Sequence, residues 1–545
     1  MSHLEQATTI VTALRAAIDA ATAHLAAACE QDGRISVARM DEHQASLYDI
    51  ASLSASVAAA EQLVADGSRG DREARLALAW AADVYTDLFG RATGRWSEWG
   101  VAPTEIGMLT DDVHAAVEAG RSATFLGDLG DEVLADGEAG PRHLPEDLEM
   151  VRDAFRRFAE EQVMPIAEHI HRNDADIPDE IIQGVAEMGC FALSIPSEYG
   201  GMAEGGDDEL LNMVLVTEEL SRGSLGVAGS LITRPEIIST AIQRGGTEEQ
   251  KKTWLPAIAS GEKMCGVAVT EPDYGSDVAG VKVAATRDDD DWVINGVKTW
   301  CTFAGRADYL LVLARTDPDR SLGHRGLSLF VVEKPTFGGH EWSTSQDGGG
   351  SIEARAIPTI GYRGMHSFEV SFDNWRVPHS SLIGEDDGVG RGFYLQMQAF
   401  ANARLQTAAR ALGVMQSALD ESVAYAKQRK VFGAELGDYQ LTKVKIARMA
   451  MIIAACRAFS FEAARRIARG DGQLEASQVK QLACRASEWA TREAQQLHGG
   501  YGYAEEYTVS RLFVDARVLS IFEGADETLA LRVIAKRILE NALNA

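Results

Sequence analysis

Paired cysteines are absent from this chain. Its six, Cys29, Cys190, Cys265, Cys301, Cys456 and Cys484, are scattered, with no C-x-x-C spacing and no histidines clustered beside them. That argues against a disulfide framework and against structural zinc, and the thiols read as buried and reduced. An excess of positive charge is also missing. Lys and Arg total 52 against 81 Asp and Glu, a formal net charge of -29, and such a surface repels phosphate backbones, so no nucleic-acid partner is expected. The N-terminus, MSHLEQATTIVTALRAAIDAA, carries Glu5 and no long apolar run. It reads as neither a signal peptide nor a membrane span, and the expected compartment is the cytoplasm, with no membrane partner. No G-x-G-x-x-G follows a strand, which sets aside nicotinamide binding on a Rossmann fold.

What is present fits a globular protein of three or four domains: 545 residues, 46% apolar and 24% charged. Residues 1–143 form an Ala-rich helical extension, with Ile10, Leu14, Ile18, Ala21 and Leu25 on one face. A second stripe, Leu47, Ile50, Ser54, Val57 and Glu61, is mostly apolar but imperfect. Residues 144–264 are helical again, and FRRFAEEQVMPIAEHI reads as one helix. Residues 265–385 change period, to short β-rich runs such as CGVAVT, YLLVLART and LSLFVVEK between Gly, Asp and Pro, predicting an antiparallel β domain. FGGHEWSTSQDGGGSIEARA interrupts it and reads as a mobile loop. Residues 386–545 return to long helices. The fold class is therefore α+β multidomain: helical extension, α domain, β domain, C-terminal helical bundle.

Chemistry gathers at a few motifs. VAVTEPDYGSDVAG with NGVKTWCTFAG, then QRKVFGAELGDYQ, then QLHGGYGYAEEY and SIFEGADE, occur in that order. Unaided, Thr and Trp in strands are packing residues and a Glu in a turn between helices is a surface residue. Together, over residues 144–545, these motifs resemble the acyl-CoA dehydrogenase family, and the resemblance implies FAD as cofactor. In that reading Glu523 is the catalytic base. Phe522 beside it can desolvate the carboxylate, and Gly524 lets backbone approach the substrate. Some relatives carry the base on the helix that here reads FANARLQ, but the matching place is Ala403, followed by Arg404. Arg404 then orients the active-site elements at the substrate or forms a structural ion pair.

The resemblance also implies cofactor contacts at Thr270, Ser276, Trp300 and Thr302. Trp300 would cover one flavin face, Thr302 would place a hydroxyl near N5, Thr270 would bond the pyrimidine side, and Ser276 would touch cofactor and acyl-CoA. Arg429, Phe432 and Gln440, with Gln496, Gly499 and Gly500, match contacts to the FAD of a neighbouring subunit, which implies a homodimer or a dimer of dimers. Ala525 and Glu527 stand where many relatives have Thr and Gln, so that part of the cofactor site departs from the pattern. The implied reaction is α,β-dehydrogenation of an acyl-CoA, with an electron-transfer flavoprotein as acceptor. The extension, the loop before GYRGMHSFEVSFDNWRVP and the layout resemble those family members that act on methylsuccinyl-CoA, and the resemblance implies that short branched dicarboxylic thioester as substrate. Short-chain, branched-chain or glutaryl-type dehydrogenation is the alternative, and a DNA-binding or monooxygenase member of the fold a weaker one. The second carboxylate needs a cation. Glutaryl-type enzymes use an arginine where this chain has Ala228; the resemblance puts Arg234, beside Pro235, near the place where straight-chain relatives set the pocket depth, and Arg234 is the expected partner. A helix-capping role or a bridge to Glu236 is the competing reading, and Arg363 and His366 are next in line.

Overall fold

The computed structural model describes residues 1–206 and 209–544. They divide into two compact units, Met1–Glu149 with Thr407–Ala545, and Met150–Gln406. Helix α1 (His3–Cys29) starts at a capping box between Ser2 and Glu5, which satisfies two otherwise orphaned amides. It is long and apolar enough to cross a membrane by composition. Its stripe of Ile10, Leu14, Ile18 and Leu25 is nonetheless buried inside the unit, packed against α2 (Gln44–Asp66) and α3 (Asp71–Ala92). The polar interruptions of the α2 stripe are contacts. Glu61 pairs with Arg15 at 2.7 Å, and Ser54 accepts from Gln478 at 3.0 Å. Helices α4 (Asp111–Arg121) and α5 (Ala123–Asp136) complete the extension.

Helix α6 (Glu146–Phe158) passes through a π-turn, Ala159–Val163, into α7 (Met164–Asn173). The single helix expected here is therefore widened by one turn just before Pro165, which lacks the amide an unbroken ladder requires. Helices α8 (Asp179–Glu187), α9 (Glu209–Gly223), α10 (Thr233–Gly245) and α11 (Glu248–Ala259) follow. The sheet comprises β1 (Cys265–Ala268), β2 (Ala284–Asp288), β3 (Asp291–Thr302), β4 (Tyr309–Arg315), β5 (Leu327–Glu333), β6 (Glu341–Ser345), β7 (Ser351–Ala356) and β8 (Ser367–Pro378). Its order is β1-β4-β2-β3-β8-β7-β6, with β5 also on β4. It is antiparallel apart from β4, which runs parallel to β1 and to β2. YLLVLA is apolar throughout because β4 is covered on both faces. Leu310 and Val312 join Trp292 and Phe330, while Leu311 and Leu313 meet Ile238, Ile242 and Leu255 from the helices.

The stretch read as a mobile loop is a correction. It folds as the β6–β7 hairpin, in register from Glu341↔Arg355 to Ser345↔Ser351, and β7 continues onto β8. Its composition misled because β6 is an edge strand with one wet face, so polar residues alternate with Trp342 and Ile352. Lys334, before the hairpin, gives its ammonium hydrogens to the carbonyls of Gly305, Ala307 and Pro335, and burial pulls it down to about 7.

The C-terminal helices are α12 (Gly392–Gln428), α13 (Gln440–Ala468), α14 (Gln473–His498) and α15 (Thr508–Leu519), then a short α16 (Asp526–Thr528), a π-turn and α17 (Lys536–Asn544). The extension is packed onto them. α5 crosses α13 so closely that a Cβ on Gly130 would lie 2.2 Å from the Lys443 carbonyl oxygen. Backbone cannot yield as a side-chain tip can, so Gly130→Ala should cost about 1–3 kcal/mol, the range for overpacking. Amide exchange should accelerate in α5 and α13 while the sheet is unchanged; unaltered exchange in α5 would show that the two helices are not locked there.

Candidate active site

The loop after β1 and the end of β3 are joined by a buried charge pair. Lys298 is fully buried, and its Nζ donates to Glu271 Oε1 and to the Val269 carbonyl, each at 2.9 Å. Burial pulls Lys298 below the ordinary lysine range, against the pull of Glu271. Glu271 also accepts the amides of Lys282 and Val283, at 2.7 and 2.8 Å. These bonds fix both flanks. Half-buried Thr270 accepts the Thr299 amide at 2.9 Å, and Ser276 lies exposed in the same loop.

Two residues beyond Lys298 the chain turns its indole outward. Trp300 has φ 57° and is 55% exposed, while Cys301 and Thr302 beside it are buried. A bulky residue in the left-handed region is an outlier that the surrounding structure must impose, and such strain gathers at ligand sites. The Thr302 hydroxyl lies 2.9 Å from that of Ser367. Burial pushes the Cys301 thiol up to about 12, which makes it packing rather than a nucleophile.

In the other unit, two distant segments form one exposed patch. The Arg429 guanidinium lies 5.9 Å from the Tyr501 ring, and Tyr425 stacks on His498 at 4.1 Å. Phe432 is fully exposed with φ 51°, and Gln440 and Gln496 are exposed nearby in sequence. A Cβ on Gly499 or Gly500 would meet nothing within 4 Å. An arginine, a bare aromatic ring and a glycine turn facing open space fit an anionic, planar ligand arriving from outside the unit.

Glu523 sits between α15 and α16 with φ 52°, its side chain 11% exposed. The loop around it is tied down. Buried Arg410 lies over the Phe522 ring at 4.5 Å and reaches to 3.9 Å of Glu523 Oε1. Lys480 donates to the Gly524 carbonyl at 2.7 Å, and the Asp526 amide closes onto Ser520 at 3.0 Å. The extension contributes as well: the Tyr48 hydroxyl donates to Asp526 and is pushed up to about 12 by burial and that carboxylate. Ala525 is the cap before α16, and Glu527 is exposed. Motif reading missed Arg410, Lys480 and Tyr48, because their partners are far away in sequence.

Arg234 is on α10 and is 5% exposed. It does not bridge to Glu236, which instead accepts from Asn402 at 2.9 Å, but it does reach the carbonyl of Ser230, the residue that ends the helical turn Leu225–Gly229. Its Nη1 donates to the Tyr362 hydroxyl at 2.9 Å and to the Ser230 carbonyl at 3.4 Å. Among the described residues no carboxylate forms an ion pair with it. Arg363 is engaged otherwise, donating to the carbonyls of Thr359 and His171 at 3.0 and 2.9 Å. Ala228 and Ala403 are wholly buried, and Arg404 is half-buried.

Family models for acyl-CoA dehydrogenases match the chain in three parts: N-terminal domain at 145–262, middle domain at 266–375 and C-terminal domain at 390–539. The chain belongs to the acyl-CoA dehydrogenase family. It is 39% identical over 528 residues to (2S)-methylsuccinyl-CoA dehydrogenase of Cereibacter sphaeroides, covering 93% of each chain, so that likeness runs into the N-terminal extension. Butyryl-CoA dehydrogenase from Megasphaera elsdenii superposes with TM-score 0.66 at 30% identity, over 73% of this chain and all of that one. A glutaryl-CoA dehydrogenase from Mycobacterium smegmatis in complex with FADH2 superposes with TM-score 0.63 at 26% identity, over 72% of this chain and 95% of that one. Like its family, this acyl-CoA dehydrogenase is an FAD-dependent oxidoreductase acting on the CH–CH bond of an acyl-CoA. The strained, exposed Trp300 beside Thr302 and the open Arg429–Gly499 patch are fitting surfaces for that cofactor.

Glu271→Ala would leave the Lys298 ammonium buried without its counter-charge, a loss of about 3–5 kcal/mol. The denaturation midpoint and the FAD retained on purification should both fall; a variant with wild-type flavin content and midpoint would show that the pair does not organise this site.

Proposed function

We propose that this acyl-CoA dehydrogenase converts (2S)-methylsuccinyl-CoA to mesaconyl-C1-CoA, a step of the ethylmalonyl-CoA route of acetyl-CoA assimilation, in the cytoplasm. The observation that carries the reading is Arg234: a guanidinium held in the protein interior beside a tyrosine hydroxyl, with no carboxylate paired to it among the described residues. A buried charge without a counter-charge is costly even when hydrogen-bonded, and a ligand carboxylate would relieve it. A dicarboxylic thioester brings such a group on its β-carbon, and Arg234 with Tyr362 would bind it by charge-assisted hydrogen bonds. The near relationship to a methylsuccinyl-CoA dehydrogenase supports the same substrate.

In this reading Glu523 removes the α-proton. Its backbone N–H, on a loop fixed by Lys480 and Arg410, donates to the thioester oxygen as enolate charge develops. Gly524 leaves room for the thioester, Ser276 contacts the acyl-CoA, and Arg404 orients the helix beside the acyl group. Bound FAD supplies the two-electron acceptor for the hydride leaving the β-carbon. Thr270, Trp300 and Thr302 bind its ring system, while Arg429, Phe432, Gln440, Gln496, Gly499 and Gly500 hold the cofactor of a second subunit in a homodimer or dimer of dimers. An electron-transfer flavoprotein then takes the electrons.

Two variants test this. Glu523→Gln should keep FAD and bind acyl-CoA, yet slow anaerobic flavin bleaching at least about 100-fold, the low end for loss of a general base; near-normal bleaching would remove Glu523 from the role. Arg234→Ala should lose about 1.5–3 kcal/mol of transition-state binding with methylsuccinyl-CoA, about 10- to 150-fold in kcat/KM. Its activity with an uncharged branched acyl-CoA should fall much less. Equal losses on both substrates would make Arg234 structural and move the search to Arg363 and His366.

A further inference from the structure

Outside the residues assigned above to cofactor and base, one cluster in the Met150–Gln406 unit brings together ligand-type side chains from three separate segments. Asp174 follows the last turn of α7, His340 immediately precedes β6, and His366 immediately precedes β8. One ligand atom from each lies within 4.8 Å of the other two. His340 Nε2 is 3.2 Å from Asp174 Oδ2, His366 Nδ1 is 3.7 Å from Asp174 Oδ1, and the two imidazole rings are 4.4 Å apart. Two ligands of one tetrahedral ion, with bonds of about 2.1 Å, stand about 3.4 Å apart, so the observed spacings bracket that value. Among the described residues no other such group occurs.

The positions are built rather than accidental. Asp174, the cap that ends α7, and His366 both hold left-handed backbone, φ 48° and 42°, a conformation that is uncommon outside glycine but that Asp and His adopt more readily than most residues. The His366 carbonyl is fixed by the Phe303 amide at 2.8 Å, and that of His340 by the Ala356 amide at 2.7 Å. His366 is 8% exposed, and its remaining nitrogen, Nε2, lies 3.0 Å from Asp176 Oδ1. Asp176 is itself held by the Gly339 amide at 2.7 Å. The His366–Asp176 approach is an ion-pair distance without an aligned hydrogen bond, and it puts a carboxylate at the side of the ring where a metal-bound imidazole takes its support.

We propose that Asp174, His340 and His366 bind one divalent transition-metal ion of the zinc class, which clasps the β6–β7 hairpin to the end of α7. Two imidazoles and one carboxylate are the donor set of such ions, whereas calcium takes six to eight oxygens. Three protein ligands leave a fourth position for water, and no step of the dehydrogenation needs the ion. The spacing in sequence, with His340 and His366 each more than 160 residues from Asp174, gives no motif, so the site emerges only from the fold.

The test uses the FAD-loaded protein, freed of metal with a chelator and titrated with Zn²⁺ by calorimetry. One equivalent per chain should bind with micromolar or tighter affinity. Zn²⁺ should also slow proteolysis between residues 334 and 356 and raise the melting temperature. His340→Ala and Asp174→Asn, each checked for unchanged FAD absorbance and circular dichroism, should weaken binding by at least about 100-fold, since even loss of an outer support costs about 10–100-fold. Absence of a saturable equivalent would overturn the proposal. So would wild-type affinity in either variant, or an ion that binds without protecting the hairpin.

Discussion

The buried Lys298–Glu271 pair is the constraint on which the Thr270–Thr302 region of the sheet unit rests. A wholly enclosed ammonium pulls in whatever can compensate it, here a carboxylate and a carbonyl from the loop after β1. That carboxylate is in turn saturated by two backbone amides at the start of β2. Three pieces of chain therefore cannot move independently, and the outward turn at Trp300 follows from their geometry. Replacing such a pair by apolar residues is often tolerated energetically; what would be lost is the fixed placement of Thr270, Trp300 and Thr302.

Sequence reasoning reached the order of helical and β zones, the long helices, the apolar faces of α1 and β4, and the family. Those signals are local or strictly periodic. It failed where a residue's meaning depends on what lies across from it. The β6–β7 hairpin looks like a loop because an edge strand with a solvated face has the composition of one. Ser54 and Glu61 look like flaws in a stripe until Gln478 and Arg15 are seen opposite them. An arginine is usually exposed, so no local pattern marks Arg234 as interior; only the family resemblance singled it out, and nothing marked Tyr362 as its neighbour.

The candidate site divides in the same way. Glu523 and Gly524 were legible as a motif, and their left-handed backbone shows why that motif is short and sharp. The groups that hold the loop were not legible. Arg410 against Phe522, Lys480 on the Gly524 carbonyl, and Tyr48 on Asp526 come from three different helices. Tyr48 also gives the extension a reason to exist beyond bulk: it fixes the C-terminal side of the loop that carries Glu523, with Arg485 lying 5.7 Å from its ring.

Gly130 locks the first helices of the chain to α13, in a unit whose two parts are separated in sequence by the whole of Met150–Gln406. On the ribosome, α1 to α5 therefore emerge long before the helices that cover them. Their apolar faces must wait while an entire second unit is synthesised and free to fold. Closing so long a loop is slow, which makes truncation from the C-terminal end far more damaging to the N-terminal helices than their position in the chain would indicate.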